Sequence, residues 1–103
     1  MRCVIEVVSG IYDGLIYEFE TFPFQIGRDP NSSQVALSLE SSVSRNHAEV
    51  SYSEGSIFIK DQTSSNGTFV NGQRIGGTIS TRSLNDGDIV RVGDAMMKIG
   101  ISR

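Results

Sequence analysis

The 103-residue chain carries 12 acidic and 9 basic side chains, for a formal charge of −3, and 38% of its residues are hydrophobic. That is enough length and apolar content for one domain with a modest core of its own, so we expect residues 1–103 to form a single module. No apolar run approaches the ~20 residues of a membrane span, and the acidic balance speaks against a general nucleic-acid binder. One Cys and one His cannot build an internal disulfide or a Cys/His zinc centre, so neither a metal nor another cofactor is expected. Cytoplasm is the expected compartment.

Val and Ile total 20 residues against 7 for Leu and Ala, a balance that favours pleated sheet over helix. The start of the chain, Cys3 to Val8, reads as a first strand. Asp13-Gly14 then turns into Leu15 to Glu20, which sets Leu15, Tyr17 and Phe19 against Ile16, Glu18 and Glu20. Phe24 to Ile26 follows Pro23, and Gln34 to Leu37 is a short fourth candidate. Ala48 to Tyr52 and Ser56 to Asp61 flank Glu54-Gly55 as a hairpin. Thr68 to Val70 and Gln73 to Ile75 flank Asn71-Gly72, the strongest tight-turn signal in the chain. Asp88 to Val92 and Ala95 to Ile101 close the chain as a last hairpin around Gly93-Asp94. Ser-rich Val35 to His47 and the stretch Gly76 to Ser83 read as loops. The fold class is therefore all-β, and many short strands at even spacing imply a sandwich or barrel.

Polar residues gather in three loops of this scaffold: Gly27 to Ser33, Ser41 to His47, and Asp61 to Thr68. Each adjoins a strand end, so the three can share one edge of a sandwich. Arg28 offers a planar fork that can grip two oxygens of an anion, or it can pair with neighbouring Asp29. Ser44 and Ser65 bring hydroxyls, Arg45 a second positive charge, and Asn66 an amide that can read a peptide backbone or simply form a turn beside Gly67. His47, near Ser44 in sequence and ahead of Asp61, raises the question of a hydrolytic triad, but no Gly-x-Ser-x-Gly elbow is present. P-loop and dinucleotide fingerprints are missing as well.

Gly27-Arg28, Ser44-Arg45-Asn46-His47-Ala48 and Ser64-Ser65-Asn66-Gly67-Thr68-Phe69-Val70-Asn71-Gly72 together resemble, in order and spacing, the forkhead-associated (FHA) family. The resemblance spans nearly the whole chain. It implies a β-sandwich of two twisted, mostly antiparallel sheets with about eleven strands. It also implies a site for phosphothreonine peptides on the loops at one end. On that reading Arg28, Ser44, Arg45, Ser65 and Asn66 contact the phosphopeptide, while Gly27, His47, Thr68 and Asn71 support the loops. Thr68 and Phe69 are expected to anchor the third loop to the core. The implied partner is a phosphothreonine-bearing protein, such as a Ser/Thr kinase or its substrate, and phosphothreonine is preferred to phosphoserine. Ser65 stands where many members carry Thr. The alternative on the same fold is a structural or oligomerisation module indifferent to phosphate. The Gly76 to Ser83 loop and the surroundings of Asn71 are the expected sources of selectivity for neighbouring side chains.

Overall fold

The computed structural model describes residues 1–103 and contains eleven strands and no helix. In chain order they are β1 (Arg2–Val7), β2 (Ile16–Phe19), β3 (Phe24–Gly27), β4 (Val35–Ala36), β5 (Ala48–Ser53), β6 (Ser56–Asp61), β7 (Thr68–Val70), β8 (Gln73–Ile75), β9 (Thr81–Leu84), β10 (Ile89–Val92) and β11 (Ala95–Ser102). One sheet runs β2-β1-β11-β10-β7-β8 and the other β4-β3-β5-β6-β9. Every pairing is antiparallel except the short β3–β4 contact. The expected all-β sandwich is thus the observed one.

Side chains on a strand point alternately to its two faces, and the burial pattern follows that period. Cys3, Ile5 and Val7 of β1, Val90 and Val92 of β10, and Ala95, Met97 and Ile99 of β11 face inward from one sheet. Phe24 and Ile26 of β3, Val50 of β5, and Ile57 and Ile59 of β6 face them from the other. Removing each large aliphatic chain from water contributes about 1.5–3 kcal/mol, and this layer holds the sheets face to face. Where β2 and β3 lie at one side of the sandwich, Phe19 stacks on Phe24 with ring centroids 3.8 Å apart, and Phe22 packs against Phe24 and Tyr52. Asn71 and Gly72 both have positive φ, 50° and 83°, the geometry a two-residue hairpin with matching twist requires.

One strand differs from the sequence reading. Thr81–Leu84, whose first three residues fall in the expected Gly76 to Ser83 loop, is β9, the edge strand paired to β6 through Ile57–Leu84 to Lys60–Thr81. Only Leu84 of its four residues is buried. An edge strand with a single core contact shows almost no hydrophobic alternation, which is why its sequence reads as loop.

The register fixes which loops meet. Ile26 pairs with Ala48, Ala48 with Asp61, Val92 with both Thr68 and Ala95, and Val7 with Met97. The β3–β4, β4–β5, β6–β7, β10–β11 and β1–β2 connections therefore emerge at the same end of the sandwich. The Asn71-Gly72 turn leaves from the opposite end.

Candidate functional site

The three polar loops are stitched together by short hydrogen bonds. The Arg28 amide donates to the Ser44 carbonyl at 3.0 Å, and the Arg28 Nε donates to the Val43 carbonyl at 2.9 Å. The side chain is thus held through Nε, with no hydrogen bond from its Nη groups to the rest of the protein. Asp29 does not hold Arg28: its carboxylate accepts from the Asn31 amide at 2.9 Å. The close approach of the two loops explains Gly27. A Cβ there would stand 2.1 Å from the Arg45 carbonyl oxygen, so only glycine fits. Arg28, Asp29, Pro30, Ser38 and Arg45 line an open concavity of about 340 Å³.

The second and third loops join through Ser44 and His47. The Ser44 hydroxyl oxygen accepts the Ser65 amide at 3.1 Å, which leaves its own hydrogen free to donate outward. His47 is fully buried; Nδ1 accepts the Ser44 amide at 3.0 Å and Nε2 lies 2.8 Å from the Gly67 carbonyl. Those partners assign the neutral ring with its hydrogen on Nε2. Burial holds its pKa below the ordinary value, against smaller opposing effects of the Gly67 carbonyl and Asp61. His47 thus braces two loops with both nitrogens.

A Ser-His-Asp relay is not assembled. The Ser44 hydroxyl is bonded to Ser65, and the Asp61 carboxylate accepts from Ser64 Oγ, the Ser64 amide and Thr68 Oγ1. Asp61 and Thr68, both buried, instead fix the foot of the third loop; Thr68 Oγ1 donates at 2.7 Å. Ser64 Oγ in turn accepts the Gly67 amide at 3.1 Å, closing the turn that presents Ser65 and Asn66.

The structure thus brings Arg28, Ser44, Arg45, Ser65 and Asn66 to one end of the sandwich. Asn66 is partly engaged, since Nδ2 donates to the Ser42 carbonyl at 2.8 Å. Two expectations need adjustment. Asn71 does tie two turns together, since its side chain bonds Asp88 Oδ1 and the Ile89 amide and braces the turn before β10. Those turns lie at the end opposite Arg28, so its surroundings are not beside the three polar loops. Phe69 does not anchor the third loop in the core: it lies on the outer sheet face with the Arg91 guanidinium 3.9 Å from its ring centroid. The β7 register, with Thr68 and Val70 inward, turns Phe69 outward.

Sequence reasoning also missed a fourth loop. The Gly93 amide donates to the Gly67 carbonyl at 3.2 Å and the Asp94 amide to Ser42 Oγ at 2.9 Å. Gly93-Asp94 was legible as a hairpin turn. Its place beside Ser42 and Asn66 follows only from the β7–β10–β11 order.

The model of one family, the FHA domain, matches residues 24–93. The chain belongs to the FHA domain family. Among solved structures, the FHA domain of the CT664 protein from Chlamydia trachomatis is similar over the full length of both chains, with 25% identity and a TM-score of 0.86. EmbR of Mycobacterium tuberculosis, solved in complex with a low-affinity phosphopeptide, is 31% identical with a TM-score of 0.84 over 98% of this chain and 24% of its own. The FhaA FHA domain, solved with the intracellular domain of Rv3910, is 27% identical with a TM-score of 0.80 over 94% of this chain and 98% of its own. A search of curated protein sequences finds no match. The FHA model covers all three polar loops and ends at Gly93.

Proposed function

We propose that this FHA domain is a phosphothreonine-peptide recognition module, that residues 1–103 make up one such module, and that it recruits partners phosphorylated by Ser/Thr kinases in the cytoplasm. The observation that carries the reading is the coupling of Arg28, Ser44 and Ser65 through the Arg28 amide–Ser44 carbonyl and Ser65 amide–Ser44 Oγ bonds. It gathers a guanidinium and two hydroxyls on loops fixed by a buried His. The similar structure of EmbR, solved with a phosphopeptide, supports the same ligand class.

A phosphothreonine brings about −1.5 to −2 charge and three strong acceptors. The Arg28 Nη groups supply a charged fork, the Ser44 and Ser65 hydroxyls complete the oxygen contacts, and Arg45 adds positive potential at the rim. Asn66, with Oδ1 and one Nδ2 hydrogen left over, pairs with the peptide main chain and gives affinity without reading side chains. Each charge-assisted bond is worth about 1.5–3 kcal/mol, so two of them favour the phosphorylated form by roughly two orders of magnitude or more.

Calorimetric titration of matched peptides tests the reading. Binding of the phosphothreonine form, loss with the unphosphorylated form, and weaker binding of phosphoserine are expected. Equal affinity for phosphorylated and plain peptides would leave only a structural module.

A further inference from the structure

The same end of the sandwich carries a second surface of opposite character. Ile11, Ile16 and Leu39 are 63%, 60% and 68% exposed, and Val8, Leu15 and Met96 lie open beside them. These residues are far apart in sequence but joined in space. The Val8 amide donates to the Met96 carbonyl, and the Met96 amide to Ser9 Oγ. The Ile11 amide donates to Glu40 Oε1 and the Leu39 amide to the Tyr12 hydroxyl, each at 3.0 Å, which docks the β1–β2 turn on the loop that holds Leu39.

That loop is continuous with the phosphate cradle. It runs from Leu39 and Glu40 directly into Ser42, Val43 and Ser44, whose backbone and side chains hold Asn66, Arg28 and Ser65. Met96 stands two residues past Asp94, which is bonded to Ser42. An occupant of the cradle therefore meets the apolar shelf by crossing a single loop.

We propose that the shelf formed by Ile11, Leu39 and Met96 is a second docking surface for the phosphorylated partner itself, taking apolar side chains on one flank of its phosphothreonine. The inference rests on the phosphopeptide reading. Continuity with the cradle selects this occupant. A second copy of the chain fits less well. The free edge at β2 is short and carries Glu18, with Glu20 following, so two such edges would set carboxylates together. The acidic rim, with Glu40 and Asp94 on the route from cradle to shelf, also suits a partner whose linking residues are basic. At ~3.3 Å per extended residue, roughly four to six residues reach from the phosphate to the shelf.

Two phosphothreonine peptides serve as probes, identical except that one carries a pair of leucines roughly four to six residues from the phosphate, in N- and C-terminal versions, and the other carries serines. We expect the leucines to tighten binding about tenfold on one side only. The Ile11→Ser/Leu39→Ser double variant should erase that gain and keep the affinity for the serine peptide. Both side chains project into solvent, so the fold is retained. Binding of the serine peptide with no gain from leucine on either side overturns the shelf and leaves the phosphopeptide reading intact. Failure of every phosphopeptide to bind overturns both. A dimer of the wild type that the double variant dissociates, detected by sedimentation, would assign the shelf to a second copy instead.

Discussion

Gly27→Ala is a one-methyl test of how the loops are held. The added Cβ would lie 2.1 Å from the Arg45 carbonyl oxygen and 2.6 Å from Ser33 Oγ, where ordinary contact begins at 3.4 Å. The first of these is backbone, so the 44–47 segment must retreat by about 1.3 Å. The Asp29 amide–Arg45 carbonyl bond, already 3.3 Å, breaks, and the Arg28 amide–Ser44 carbonyl bond stretches. Overpacking costs about 1–3 kcal/mol and each of the two weakened hydrogen bonds about 0.5–1.5 kcal/mol, for a total of about 2–6 kcal/mol. In a domain this size that lowers Tm by roughly 8–48 °C. Phosphopeptide affinity should fall in the folded variant too, because Arg28 and Ser44 are levered apart. Gly100→Ala is the control: its Cβ meets Val4 Cβ at 3.4 Å, and stability should stay within about 1 kcal/mol of wild type. Calorimetric melting and peptide titration measure both quantities. A Gly27→Ala protein with unchanged Tm and unchanged affinity would refute the close packing of these loops.

The pKa of His47, lowered by burial from 6.5, makes stability depend on acid. Below pH 6.5 the unfolded chain binds a proton that the folded one refuses, so stability is fully present above that value. It falls by up to ~1.4 kcal/mol per pH unit down to the folded pKa. Urea melts of wild type and His47→Gln between pH 7 and 5 should differ in slope, and parallel pH dependence would contradict a buried neutral ring. Thr68→Val removes a buried donor to the Asp61 carboxylate and should cost about 1.5–3 kcal/mol, read as a lower urea midpoint at unchanged m-value. Asn71→Ala loses its bonds to Asp88 and Ile89 and should destabilise by about 1–2 kcal/mol while leaving peptide affinity unchanged in titration, because it acts at the far end.

Much of this architecture is written in local pattern. Ser56–Asp61, Thr68–Val70 and Gln73–Ile75 coincide with the strands expected from alternation and from the Asn71-Gly72 turn, since tight turns and inward apolar faces are encoded within a few residues. The three polar loops that hold Arg28, Ser44, Ser65 and Asn66 were legible because each directly adjoins a strand end, while the reading of those residues as a site came from the family resemblance. What stayed hidden depends on distant neighbours. β9 draws its strand character from pairing with β6 rather than from its own side chains. Gly93-Asp94 joins the site only because β10 lies between β7 and β11. The surroundings of Asn71 were misplaced for the converse reason: three residues of β7 carry the chain away from the end that holds Arg28, although Asn71 does tie two turns together as expected. The outward turn of Phe69 is set by strand parity, which one slip of register would reverse.

The most direct test of the central claim is a residue-resolved amide NMR titration with a phosphothreonine peptide, run beside its unphosphorylated twin on wild type and Arg28→Ala. Shifts confined to the loops around Arg28, Ser44, Ser65 and Asn66, present only with phosphate and lost in Arg28→Ala, are the expected result. Shifts that centre elsewhere, or that persist without the phosphate or without the Arg28 side chain, would contradict it.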